Sequence, residues 1–197
     1  MSIFDSAAPM SAHATLDPAR TPFVVGLDLS LTATGYASIR PQAPTRVQTI
    51  KSKGAKDATL AQRAERLHAL SAEILGSSLA ADIVVIEQPA YNQTGGSHHD
   101  RSGLWWLVTD ALVPIVERVI EVTPPTLKKY ATGKGNASKD EVLAAVIRRY
   151  PDIEVTNNNE ADALVLAAVG ARLAGHPIEA SLPAANLAAL EKVRWSV

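Results

Sequence analysis

Phe23-Val24-Val25-Gly26-Leu27-Asp28-Leu29-Ser30-Leu31-Thr32-Ala33-Thr34-Gly35-Tyr36 is the stretch on which the reading of this chain turns. Residues 23–29 form a run too short and too rich in aliphatic side chains for a buried helix, and predict a core strand. Residues 31–34 read as a turn, and 35–40 as a second strand running back along the first. Asp28 closes the first apolar run. Glu87 closes another, Ile83-Val84-Val85-Ile86, and Asp162 opens a third, Ala163-Leu164-Val165-Leu166-Ala167-Ala168-Val169. A carboxylate at the end of a buried strand is costly unless a cation or a hydrogen-bond network compensates it. Two strand-end carboxylates and one on a late helix form an oxygen-only donor set that suits Mg²⁺ or Mn²⁺. Taken singly, each has a plainer role as a turn residue, an N-cap or a partner of the helix dipole. Spacing alone does not bring the three together.

The 197 residues suit one domain with a substantial core, and 47% apolar content with a net charge of −1 describes a globular protein. No apolar stretch reaches the ~18 residues of a membrane span, so no membrane association is expected. Residues 1–21 are rich in Ala, Ser and Pro, lack a basic start and an apolar segment, and read as a disordered arm rather than a signal peptide. The absence of cysteine excludes disulfides, thiolate zinc sites and a thiol nucleophile, and fits a cytoplasmic protein. The overall charge does not advertise nucleic-acid binding, but its distribution does more. Residues 123–139 hold four lysines (Lys128, Lys129, Lys134, Lys139) and no acid. An acidic pocket beside a basic stripe averages to neutrality.

Beyond the second strand, residues 46–51 predict a third in an antiparallel meander. Residues 57–77 predict a helix, with Leu60, Ala64, Leu67, Ser71 and Ile74 on one face. A central strand follows at 83–87, a polar loop at 92–102, a helix at 104–116 carrying Trp105 and Trp106, and a fifth strand at 119–122. Helices are then expected at 126–131, 139–150 and 160–174, with a glycine turn at 133–135. The chain divides as an arm (1–21), a main domain (22–180) and a C-terminal helix or tail (181–197).

Three strands, a helix, a strand, a helix, a strand and then helices is an order that resembles the RNase H-like α/β fold. That fold is a five-stranded mixed sheet with helices on both faces, in which only the second strand runs against the others. The likeness implies that the first and fourth strands are neighbours, so that Asp28 and Glu87 meet.

The motifs resemble one family. Gly26-Leu27-Asp28-Leu29-Ser30-Leu31-Thr32-Ala33-Thr34-Gly35-Tyr36 is similar to the opening strand and turn of RuvC-type Holliday-junction resolvases. Ile86-Glu87-Gln88-Pro89 is similar to their fourth-strand motif, and residues 127–139 to their basic glycine segment. Glu160-Ala161-Asp162-Ala163-Leu164 is similar to their metal-binding helix. The resemblance implies a homodimeric endodeoxyribonuclease that cuts four-way DNA junctions with two Mg²⁺ ions per site, Mn²⁺ substituting. It implies Asp28, Glu87 and Asp162 as catalytic metal ligands, and Lys128 and Lys139 as the functional lysines. Lys129 and Lys134 extend the expected DNA surface, and Tyr91 lies one residue off the family's junction-stacking aromatic. One departure is plain: where the family usually has a second Asp, three residues before the last, this chain has Asn159. Asn159 offers a carbonyl oxygen to a metal or serves as an N-cap, and Glu160 is the alternative fourth carboxylate.

Other residues are discounted. His98 and His99 are expected to be exposed loop residues, and adjacent Trp105 and Trp106 cannot share a helix face, so one is assigned to the core and the other to a surface or dimer contact. Two rival functions have the same opening hairpin or fold. An actin-like or sugar-kinase-type phosphotransferase uses a similar loop for ATP but needs a second phosphate loop, which this chain lacks. A junction-binding protein that does not cleave is the reading prompted by Asn159.

Overall fold

A computed structural model describes residues 17, 19–89 and 97–193. Strands β1 (Val24–Asp28), β2 (Ala33–Ile39), β3 (Arg46–Lys51), β4 (Ile83–Glu87) and β5 (Arg118–Val122) form a single sheet in the order β3-β2-β1-β4-β5. β2 is antiparallel to both β1 and β3, while β1, β4 and β5 are parallel. The expected mixed sheet and the β1–β4 adjacency are therefore both present. Helices α1 (Leu60–Ser78) and α2 (His98–Leu112) cover one face. On the other lie α3 (Pro124–Thr132), α4 (Lys139–Arg149) and α5 (Asn158–Leu173), followed by α6 (Ala184–Leu187) and a 3₁₀ turn at Leu190–Lys192. Among the described residues no helix is long and apolar enough to cross a membrane.

The period-2 alternation of the strands divides the core. Val25 and Leu27 of β1, with Val84 and Ile86 of β4, pack under α1 and α2. Val24, Ile83 and Val85 pack under α5. Asp28 and Glu87 share parity with this second set, so both carboxylates emerge on the α5 face. Pairing of Leu27 with Ile86 sets them side by side at the C-terminal ends of two parallel strands. A helix apolar on every side must be buried on every side. α5 is such a helix, and eleven of its sixteen residues are buried between the sheet and α3–α4.

Two sequence expectations change. The face read on α1 is displaced: Leu60 is 78% exposed and Ala64 is exposed, while Leu70 joins Ser71 and Ile74 inside. The first turn of α1 lies off the core, so its apolar residue has nothing to bury against. The second helix begins at His98 rather than after residue 102 and ends before Pro114. Its polar opening looked like loop, yet Asp100 in the first turn favours the dipole and is held by the Arg63 guanidinium of α1.

The approach of α5 to the sheet is glycine-dependent. A Cβ on Gly26 would stand 2.1 Å from the Ala163 carbonyl oxygen, and one on Gly35 2.0 Å from that of Asn159. Neither neighbour is a flexible side chain; both belong to the backbone of α5. Gly76 in α1 has nothing within 4 Å of its missing Cβ. Gly26→Ala and Gly35→Ala should each destabilise the protein by about 1–3 kcal/mol or more through overpacking. Gly76→Ala should stabilise it by about 0.4–1 kcal/mol, because helix interiors disfavour glycine. Urea midpoints of the three variants test the contrast.

Candidate active site

The C-terminal ends of β1 and β4 open into a cleft of about 350 Å³ walled by α2, α3, α4 and α5. Asp28, Glu87, Asp162, Asn159, Lys128 and Lys139 all line it. Each arrives there for a local reason. The turn after Asp28 is closed by Thr34, whose hydroxyl donates to the Ser30 carbonyl at 2.8 Å and accepts from the Ser30 amide at 3.0 Å. The end of β4 is held by Trp105, whose indole N–H donates to the Glu87 carbonyl at 3.2 Å. Lys139 is the first residue of α4, started by a capping box between Ser138 and Glu141. Gly133, with φ 83°, ends α3 and turns the chain toward that start.

The N-terminus of α5 resolves a set of neighbours that the sequence leaves ambiguous. Asn157 is the N-cap, its side-chain oxygen accepting from the Glu160 amide at 3.1 Å. Asn159 is thus free of that duty and faces the cleft. Glu160 turns toward β3, where its carboxylate accepts from the Thr49 hydroxyl (2.9 Å) and from the Thr156 amide and hydroxyl (both 2.8 Å). Burial raises its pKa, but these hydrogen bonds outweigh it and hold the carboxyl below its usual value. Glu160 is a buried, ionised structural residue on the opposite side from Asp162.

The three cleft carboxylates are in the reverse condition. Burial pushes Asp28 up to about 6, against the opposing pull of Lys139 and a hydrogen bond with Glu87. Glu87 is driven up to about 8 by burial and by the charges of Asp28 and Asp162. Asp162 rises to about 7 through burial and Asp28, with Lys139 and Lys128 opposing. Three acids that cannot all ionise together near neutral pH are a site lacking positive charge. The oxygen-only donor set fits a hard divalent cation. Yet among the described residues no group of three His, Cys, Asp or Glu side chains is gathered closely enough to hold one ion. The tight association is the Asp28–Glu87 pair, with Asp162 near it on α5.

Lys129 and Lys134 are not among the residues lining the cleft; Lys134 instead borders a shallow basic depression with Arg148 and Arg149. Tyr91 lies outside the described residues. Of the two tryptophans, Trp105 packs inward and Trp106 is 65% exposed. His98 and His99 are exposed at the start of α2. Sequence reasoning missed Arg101, which lines the cleft beside Trp105. The two are four residues apart on α2 and share one face, but Arg101 fell in the segment read as loop.

No family model matches the chain. A crossover junction endodeoxyribonuclease RuvC of Rhodopirellula baltica is 28% identical over 178 residues, which cover 85% of this chain and 96% of that protein. The corresponding enzyme of Chlamydia trachomatis is 46% identical over 59 residues, 28% of this chain and 35% of that one. The Thermus thermophilus RuvC structure superposes with a TM-score of 0.56 at 20% identity, covering 78% of this chain and 97% of that chain. The same protein in complex with a Holliday junction substrate gives 0.55 at 20% identity, covering 79% and 97%.

The raised carboxyl values carry a stability consequence. The folded protein holds a proton on Glu87 up to about pH 8, whereas the unfolded chain releases it near 4.5. The folded state therefore binds more protons across that window, and stability must fall as pH rises through it. In metal-free buffer, Glu87→Gln should gain stability relative to the parent by about 3 kcal/mol between pH 5 and pH 8. Denaturant titrations at the two pH values measure the difference.

Proposed function

We propose that this RuvC-type chain is a metal-dependent, structure-specific endonuclease that hydrolyses phosphodiesters of four-way DNA junctions with paired incisions. The observation that carries the reading is the cleft itself: three half-buried carboxylates with raised pKa values, two at the ends of parallel strands and one on α5, faced by two lysines. Likeness to RuvC endonucleases across 85% of the chain supports the same chemistry.

Asp28, Glu87 and Asp162 would hold the ions, with Asn159 contributing a neutral oxygen. Two Mg²⁺ or Mn²⁺ ions, when bound, supply an activated water and offset the charge on the attacking and leaving oxygens. Lys128 and Lys139 act as point charges on the phosphate. Lys139 is helped by the exposed amides at the start of α4. Arg101, with a planar fork of donors, suits a bidentate hold on a second phosphate oxygen pair. The conformational freedom at Gly133 lets the backbone of this basic segment turn sharply beside the strand.

A junction has near two-fold symmetry and requires two opposed cuts, which a C₂ homodimer provides. The outer side of α2 and the turn after it, where Trp106, Val113 and Ile115 are exposed, is the surface proposed for that contact. The likeness to RuvC over 96% of the relative's length weighs against a phosphotransferase, which needs a second phosphate loop.

Asp28→Asn, Glu87→Gln and Asp162→Asn should each reduce junction cutting by at least ~10³-fold while junction binding persists, because phosphate contacts dominate affinity. Cleavage and gel-shift assays on a synthetic four-way junction, a fork and a duplex test this. Near-normal cutting by any one variant would refute the site, and equal cutting of duplex would refute junction selectivity.

Asn159→Asp places a charge where the chain now offers a carbonyl. The Mg²⁺ concentration for half-maximal cutting should fall, and any preference for Mn²⁺ should narrow, since a hard cation favours carboxylate. A metal titration unchanged from the parent would remove Asn159 from the metal site.

A further inference from the structure

Away from the cleft, one carboxylate gathers three helices. Glu179 follows α5 and is only 7% exposed. Its Oε1 accepts from two phenols, Tyr130 of α3 at 2.9 Å and Tyr150 at the end of α4 at 2.5 Å. Its Oε2 pairs with the Arg172 guanidinium of α5 at 2.9 Å, and Arg172 also donates through Nε to the Tyr130 hydroxyl at 3.0 Å. Burial, with the Glu179 charge next, keeps both phenols above the usual tyrosine value and so in the donating form. The end of α3 is secured a second time. Arg149 donates to the carbonyls of Tyr130 and Ala131, at 3.2 and 2.7 Å, and Asn186 donates to that of Tyr130 at 2.8 Å.

A buried ion pair contributes little net stability, because desolvation offsets most of the attraction. What such a network does impose is one geometry, since each member must meet its partners or be left unpaired in a low dielectric. Here the geometry bears on the cleft. Lys128 and Tyr130 are two residues apart, about 200° around the axis of α3, and so project from opposite sides. Anchoring the phenol inward turns the ammonium outward, to where Lys128 lines the cleft and acts on Asp162.

We propose that Glu179 is a positioning residue of the cleft: by holding Tyr130, Tyr150 and Arg172 on one carboxylate, it fixes the rotation of α3 that directs Lys128 toward Asp162. The consequence for DNA rests on the reading of Lys128 as a phosphate contact. The orientation of Lys128 itself does not.

The test compares the parent, Glu179→Gln and Lys128→Ala, together with the double variant, after circular dichroism has shown each to be folded. Lysine acylation by a small reagent, read by mass spectrometry, needs no DNA. Lys128 is half-buried in the parent and should acylate several-fold faster in Glu179→Gln, with exposed Lys53 and Lys56 unchanged. On a four-way junction, the slope of log affinity against log salt should fall by about 1 in Glu179→Gln, as in Lys128→Ala. The double variant should lose nothing further, because both changes remove one contact. Unchanged Lys128 acylation in a folded Glu179→Gln would overturn the proposal, as would losses that simply add. Should Glu179→Gln not fold, Tyr130→Phe removes a single hydroxyl and is held to the same two readouts. A parent chain that fails to bind junctions would refute the proposed function, and the acylation comparison would still decide whether Glu179 directs Lys128.

Discussion

Everything at the cleft depends on how near α5 can come to the sheet. At Gly26 and Gly35 there is no side chain between the strand and the helix backbone, and an added Cβ would overlap a carbonyl oxygen, far inside van der Waals contact. Small residues on the helix, Ala163 and Ala167, complete the contact. Asp162 sits one residue from Ala163, and Asn159 supplies the carbonyl that meets Gly35. Their approach to Asp28 is thus a direct product of backbone packing. Gly170 repeats the device two turns further along α5, where Val24 and Val85 occupy the space a Cβ would need.

That packing brings acids together at a cost in stability. Three carboxylates in one partly desolvated cleft oppose one another, and two lysines offset only part of the repulsion. Functional sites are where such strain is tolerated, and the rest of the fold compensates for it. Compensation is visible in the two continuous apolar cores, one on each side of the sheet. It is visible too in the contrast with Glu160. Two positions from Asp162, a carboxylate of the same helix is fully hydrogen-bonded and held in its ionised form. The difference between a structural and a chemically poised acid lies in its partners.

The two sides of α3 and the two ends of α4 divide these tasks. Lysines at one side meet the carboxylate cleft, while tyrosines at the other meet Glu179 and Arg172. The C-terminal segment is part of this arrangement, because Asn186 caps a carbonyl of α3.

Much of this was legible in the residues. The short aliphatic runs marked β1 and β4, and strand periodicity alone sets Asp28 and Glu87 on the faces they occupy. The order of elements implied the mixed sheet, and the four motifs marked the family likeness that the relatives bear out. What pattern could not supply is contact. The polar opening of α2 is stabilised by Arg63, thirty-seven residues away, so the helix looked like loop and Arg101 was lost with it. Leu60 fits the apolar stripe of α1 but has no core beneath it. In the sequence, Asn159 stands both as a metal ligand and as an N-cap, with Glu160 as the alternative ligand. Only the hydrogen bond from the Glu160 amide to Asn157 sets the helix start, and so decides which side chain faces the cleft. Glu179, Tyr130, Tyr150 and Arg172 carry no spacing signal at all. Periodicity records which face a residue occupies within its own element, and tertiary structure alone determines what lies opposite that face.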